Sequence, residues 1–138
     1  MIIADTGFWL ALANQRDRYH APACSALAAL REPLITTWPV VTETCHLLVS
    51  RLSSESAEAF VTSGSNGAFE LFALERAHFG RIAELMHQYR DLPMDLADAS
   101  LVLLAEELGS GRIFSTDARD FRTYRWKSRK PFRNLLAL

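Results

Sequence analysis

Met1-Ile2-Ile3-Ala4-Asp5-Thr6-Gly7 opens the chain, and its reading decides the fold. The apolar run Met1 to Ala4 is too short for a helix and matches a buried strand, ended abruptly by a carboxylate and a glycine. The same pattern returns late in the chain, where Arg112 to Ser115 reads as a strand running out near Asp117. Between these two, Leu34 to Thr37 and Phe69 to Leu74 are further strand candidates. Helical stretches separate them: Phe8 to Ala13, the alanine-rich Ala21 to Leu30, and a helix opened by Pro39 that carries Glu43, Leu47 and Leu48. Ser53 and Ser54 cap another helix running to about Ser63, before the turn Ser-Gly-Ser-Asn-Gly. Arg76 to Tyr89 places Phe79, Ile82, Ala83, Leu85 and Met86 at helical spacing, and Asp95 to Leu108 is the strongest helix, closed by Gly109. Strands alternating with helices predict a three-layer α/β/α sandwich with a mostly parallel central sheet. Ligands of such sheets bind beyond the carboxyl ends of the strands, where Asp5 and Asp117 stand.

A chain of 138 residues, 49% hydrophobic, matches one compact domain spanning residues 1–138. It has no apolar run long enough to span a bilayer and no basic leader before the first strand, so a soluble, cytoplasmic protein is expected. Cys24 and Cys45 fall in helical stretches without metal-ligand spacing and are expected to be reduced thiols. The net charge of −1 conceals an uneven distribution. Arg119, Arg122, Arg125, Lys127, Arg129, Lys130 and Arg133 stand against the single acid Asp120, which leaves the acidic excess to the rest of the chain. A basic strip beside an acidic body suits a protein that draws a polyanion to one edge, although a merely solvated tail reads the same. The four histidines show no metal-like pairing and are read as structural or surface residues.

The acids are the informative residues, and each has a plain structural explanation when taken alone. Asp5 is a good helix N-cap. Glu43 lies between Val40 and Leu47 in an apolar stripe, where it is locally unfavourable unless it reaches out at the edge. Asp95 and Asp98 share one face at the start of a helix, and Asp95 is the better cap; Asp98 sits a turn further in, where capping explains less. Asp117 or Asp120 opens a short helical turn. Gathered at the ends of adjacent parallel elements, these carboxylates would repel one another, and a hard divalent cation such as Mg²⁺ or Mn²⁺ resolves that repulsion. The chemistry such a cation serves best is hydrolysis of a phosphodiester.

The opening Ile-Ile-Ala-Asp-Thr-Gly, the Glu43 of Thr-Glu-Thr-Cys-His-Leu-Leu, the segment Met-Asp-Leu-Ala-Asp-Ala-Ser-Leu-Val-Leu-Leu-Ala-Glu-Glu-Leu-Gly and the ending Ile-Phe-Ser-Thr-Asp-Ala-Arg-Asp-Phe occur in one order and spacing. Together they resemble the PIN-domain nucleases, most closely the VapC-type toxins of bacterial toxin–antitoxin pairs, over nearly the whole chain. The resemblance implies that Asp5, Glu43, Asp98 and Asp117 form an acidic catalytic and metal-binding quartet, with Asp5 and Asp98 foremost and Asp95 and Asp120 less secure. Ser115 stands where many relatives have threonine, with the hydroxyl kept. It also implies a Mg²⁺- or Mn²⁺-dependent endoribonuclease, a homodimer, and a cognate antitoxin protein. Arg119 and Arg122 are candidate RNA phosphate contacts. Tyr124 and Trp126 are candidates for stacking on a base, though packing is the favoured reading. Receiver-type and haloacid-dehalogenase-like readings fail, because Asp5 has no acidic neighbour and no lysine precedes Lys127. The remaining alternative is a PIN-like module that binds RNA or protein without cutting.

Overall fold

The structure is a computed structural model, and it describes residues 1–136. In chain order the elements are β1 (Ile2–Ala4), α1 (Thr6–Ala13), α2 (His20–Ala28), β2 (Leu34–Thr37), α3 (Trp38–Arg51), α4 (Ser54–Ser65), β3 (Glu70–Phe72), α5 (Phe79–Gln88), α6 (Leu96–Leu108), β4 (Arg112–Phe114), α7 (Ala118–Thr123), β5 (Arg125–Trp126), β6 (Lys130–Pro131) and β7 (Arg133–Asn134). A 3₁₀ turn, Arg76–His78, leads into α5.

Strands β3-β2-β1-β4-β7 form one sheet in which every pairing is parallel. Ile2, Ile3 and Ala4 are all buried, as is every residue of β2. Successive side chains of a strand point to opposite faces, so the central strands are covered on both sides, as the expected α/β sandwich requires. The core around them gathers Phe8, Trp9, Phe60, Phe69, Leu101, Leu104, Ile113 and Phe114. Phe8 stacks on Phe114 at 4.9 Å, and Trp9 meets Phe69 at 5.0 Å, so α1 fills the space beside the sheet with rings.

α6 has nearly its whole circumference buried, from Ala97 and Ala99 to Ala105. Gly109 ends it in the left-handed region (φ +67), a conformation that favours glycine. The sequence reading missed the elements after α7. Arg133 N–H donates to the Gly111 carbonyl and Leu135 N–H to the Ile113 carbonyl, each at 2.8 Å, which adds β7 to the sheet edge. β5 and β6 pair as an antiparallel hairpin turning through Lys127 and Ser128, both at positive φ. Their sequence carries charge, a proline and no alternation, so no strand period is visible.

The reading also differs in detail. α4 runs two residues further than Ser63, and β3 spans only Glu70–Phe72 of the expected Phe69 to Leu74. Cys24 and Cys45 are both free, in α2 and α3.

Candidate active site

The parallel sheet sets its carboxyl-terminal edge at one end, and the chain turns from strand to helix there at Asp5, Thr37 and Asp117. A cleft of about 310 Å³ opens at this edge, walled by Asp5, Glu43, Asp95, Asp98, Asp117 and Asp120 together with Thr6, Arg51 and Thr116. All six acids named from the sequence therefore reach one cavity.

Asp5 caps α1, but both of its oxygens are bound: Oδ1 accepts from Thr6 N–H at 2.7 Å and Oδ2 from the Ser115 hydroxyl at 2.9 Å. The Ser115 oxygen in turn accepts from Asp117 N–H at 3.0 Å. Asn134 of β7 clamps Ser115 from behind, donating through Nδ2 to its carbonyl and accepting its N–H through Oδ1. Sequence reasoning had noted the Ser115 hydroxyl only as a family trait and had missed Asn134 altogether, because nothing local marks a lone Asn in a basic tail.

Asp95 caps α6 by accepting from Asp98 N–H at 2.8 Å, as expected. Asp98, a turn further in, accepts instead from the Tyr124 hydroxyl at 3.0 Å. The Thr37 and Ser100 hydroxyls, 2.6 Å apart and both buried, fasten β2 to α6 just beyond Asp98. Glu43 comes from α3 and is half-buried. Asp117 caps α7, accepting from Asp120 N–H at 3.3 Å.

Burial pushes the Asp5 carboxyl up to about 7; the nearby Glu43 and Asp117 charges add to this, while the Thr6 N–H and Ser115 hydroxyl oppose it. Asp98 is pushed up to about 8, first by burial and then by Asp95 and Asp5, against the pull of Tyr124. Burial raises Glu43 as well, with the Asp95 charge adding to it and Thr6 and Arg51 opposing. Asp117 is raised by burial and by its acidic neighbour Asp120. Four carboxyls held above their ordinary range in one cleft mark a site short of positive charge.

The donors fit a hard cation. Every carboxylate offers oxygen, and the Thr6 hydroxyl beside Glu43 is buried without a hydrogen-bond partner of good geometry. Among the described residues no three His, Cys, Asp or Glu side chains close on a single point.

The model for the PIN domain matches residues 2–127. The chain belongs to the PIN domain family. This PIN domain is 27% identical to Ribonuclease VapC26 of Mycobacterium tuberculosis over 124 residues, covering 90% of this chain and 92% of that protein. Among solved structures it superposes on Mycobacterium tuberculosis VapC20, described as a sarcin-ricin loop cleaving toxin, with a TM-score of 0.80. The two are 21% identical, and the match covers 86% of this chain and 92% of that one, so this likeness speaks for the fold.

The basic candidates fare differently from the acids. Arg119 projects into solvent, its side chain 80% exposed, with Nε 3.3 Å from Asp120. Arg122 lies outside the cleft, in a separate hollow with Phe121, Phe132 and Leu136. The cation that does line the cleft is Arg51, at the last turn of α3, which the sequence reading did not single out. Base stacking by Tyr124 or Trp126 is ruled out by burial: Tyr124 is fully enclosed between Tyr89 and Phe121, and the Trp126 indole donates to the Pro131 carbonyl. Packing, the favoured reading, is what the structure shows.

Proposed function

We propose that this PIN domain is a Mg²⁺- or Mn²⁺-dependent endoribonuclease, the toxin of a bacterial toxin–antitoxin pair. The observation that carries the reading is the single cleft in which Asp5, Glu43, Asp98 and Asp117 meet with their carboxyls all raised. The named relatives supply the substrate class, RNA.

Asp5 and Asp98 would hold the cation, with Glu43 and Asp117 beside them. When bound, the ion acidifies a water and neutralises charge on the scissile phosphate. Asp5 is presented in one orientation by the Thr6 N–H and the Ser115 hydroxyl, so little ordering is required when the ion arrives. Glu43 and Asp117 orient the attacking water through hydrogen bonds to their carboxylate oxygens. Arg51 meets a backbone phosphate of the RNA at the cleft wall, and the products are a 5′ phosphate and a 3′ hydroxyl. Asp95 acts mainly as the cap of α6, and Asp120, in the first turn of α7, adds negative charge beside Asp117.

No helix among the described residues is long and apolar enough to cross a membrane. A cytoplasmic location, a homodimer and silencing by a cognate antitoxin complete the proposal.

The test incubates the purified chain, freed of any partner, with mixed cellular RNA and Mn²⁺ or Mg²⁺, beside an Asp5→Ala variant and an EDTA control. Cleavage is expected in the first alone. Equal cleavage in all three rejects the metal-nuclease reading, and no cleavage by the metal-loaded parent favours a module that binds without cutting.

A further inference from the structure

We infer that Tyr124 is a positioning residue for the metal-binding carboxylate Asp98, an assignment that rests on the nuclease reading above and extends it beyond the acidic quartet. Tyr124 is fully buried, yet its hydroxyl reaches the wall of the cleft and donates to Asp98 Oδ2 at 3.0 Å. Asp98 Oδ1 accepts no hydrogen bond from the described residues, so one oxygen is engaged from behind and the other is left for the cleft.

The ring that carries the hydroxyl is held on two sides. Phe121 meets it edge-on at 5.2 Å and 89°, and Tyr89 at 5.1 Å and 70°. Its backbone is also fixed: Tyr124 N–H donates to the Asp120 carbonyl and closes α7, the helix that begins at the Asp117 cap. Tyr89 is itself anchored, because its hydroxyl accepts the N–H of Arg125. A single short helix thus carries Asp117 at one end and, at the other, the hydroxyl that steadies Asp98 on α6. The two carboxylate-bearing walls of the cleft are tied together through this bond.

A hydroxyl donor that orients a ligating carboxylate lowers the cost of ordering it, and loss of such partners weakens metal affinity by roughly 10–100-fold. Packing alone would not do this. Tyr124→Phe keeps the ring and removes only the donor, so it should bind Mn²⁺ at least about tenfold more weakly by calorimetry. Tyr19→Phe makes the same chemical change at a tyrosine that does not line the cleft or touch Tyr124, and its Mn²⁺ affinity should equal the parent's. In an Asp98→Asn background, Tyr124→Phe should have no further effect on affinity.

A measurement on the unaltered chain makes the test independent of how the variants fold. With tyrosine Cζ labelling, the Tyr124 resonance should shift when Mg²⁺ saturates the protein, while that of Tyr19, which does not line the cleft, should stay. Equal Mn²⁺ affinity in the parent and Tyr124→Phe overturns the assignment, as does an equal loss in Tyr19→Phe or a Tyr124 resonance indifferent to Mg²⁺. A parent that binds no Mn²⁺ brings down the nuclease reading together with it, so the two failures are told apart by the parent's own titration.

Discussion

At the scale of single residues, a helix cap on the cleft wall leaves its carboxylate room for a second purpose. Asp5, Asp95 and Asp117 each cap a helix, so the capping reading of these acids and the metal-site reading describe the same atoms. A cap uses one oxygen, and a carboxylate has lone pairs left for an ion. Glu43 caps nothing; it stands in an otherwise apolar stripe of α3 and reaches the cleft half-buried. Arg51 is the opposite case. An arginine at the end of a helix is expected there for the dipole alone, and only its position on the cleft wall singles it out. If it meets an RNA phosphate, Arg51→Met should lower kcat/KM and flatten its salt dependence. The slope of log kcat/KM against log salt should shrink by about 0.7, the share of one phosphate contact on a single strand. An unchanged slope over a potassium chloride series would remove Arg51 from the RNA path.

At the scale of elements, the strand-to-helix turn at Asp5 depends on a close approach that only glycine permits. A Cβ on Gly7 would collide with the Thr116 hydroxyl, so α1 lies directly against the loop between β4 and α7. That loop carries Ser115 and Asp117. Gly7→Ala should therefore push apart the two segments that share the Ser115 hydrogen bonds, at a cost of roughly 1–3 kcal/mol typical of overpacking. Chemical denaturation measures the stability loss, and Mg²⁺ affinity should fall in the same variant. A fully stable Gly7→Ala with intact affinity would mean that the loop can yield without disturbing Asp5. The hairpin β5–β6 explains the basic strip: Lys127 and Lys130 lie over the Trp126 ring at 5.9 and 4.9 Å, so part of that charge covers an aromatic surface.

At the scale of the whole molecule, the raised carboxyls make stability depend on pH. A carboxyl whose folded pKa lies above its unfolded value binds more protons in the folded state, so stability falls as pH rises between the two values. For Asp5 that window runs from 3.8 to about 7, and for Asp98 from 3.8 to about 8. At about 1.4 kcal/mol for each pK unit, Asp5 alone accounts for on the order of 4 kcal/mol, a large part of a small domain's stability. In EDTA the Tm should therefore drop between pH 5 and pH 8. Magnesium at pH 8 should restore it, since a ligand at about a hundred times its Kd adds about 2.7 kcal/mol. A Tm that is flat across this range in EDTA would show that the carboxyls are not strained by their assembly.

Local pattern alone determined a good deal: the order of helices and the first four strands, the caps at Asp5, Asp95 and Ser53, the α/β class, and six acids worth watching. These are set by short-range chemistry, namely apolar period, capping oxygens and glycine at a helix end, which a linear reading contains. Only the tertiary structure decided that the six acids wall one cleft, that Ser115 and Asn134 stand behind Asp5, and that Tyr124 stands behind Asp98. The partners in those contacts lie 19 to 110 residues apart, and no local signal encodes such a separation. β7 and the raised carboxyls belong to the same class. A two-residue polar strand exists only because β4 offers it an edge, and a pKa is displaced only by the burial and charges that the fold assembles around it.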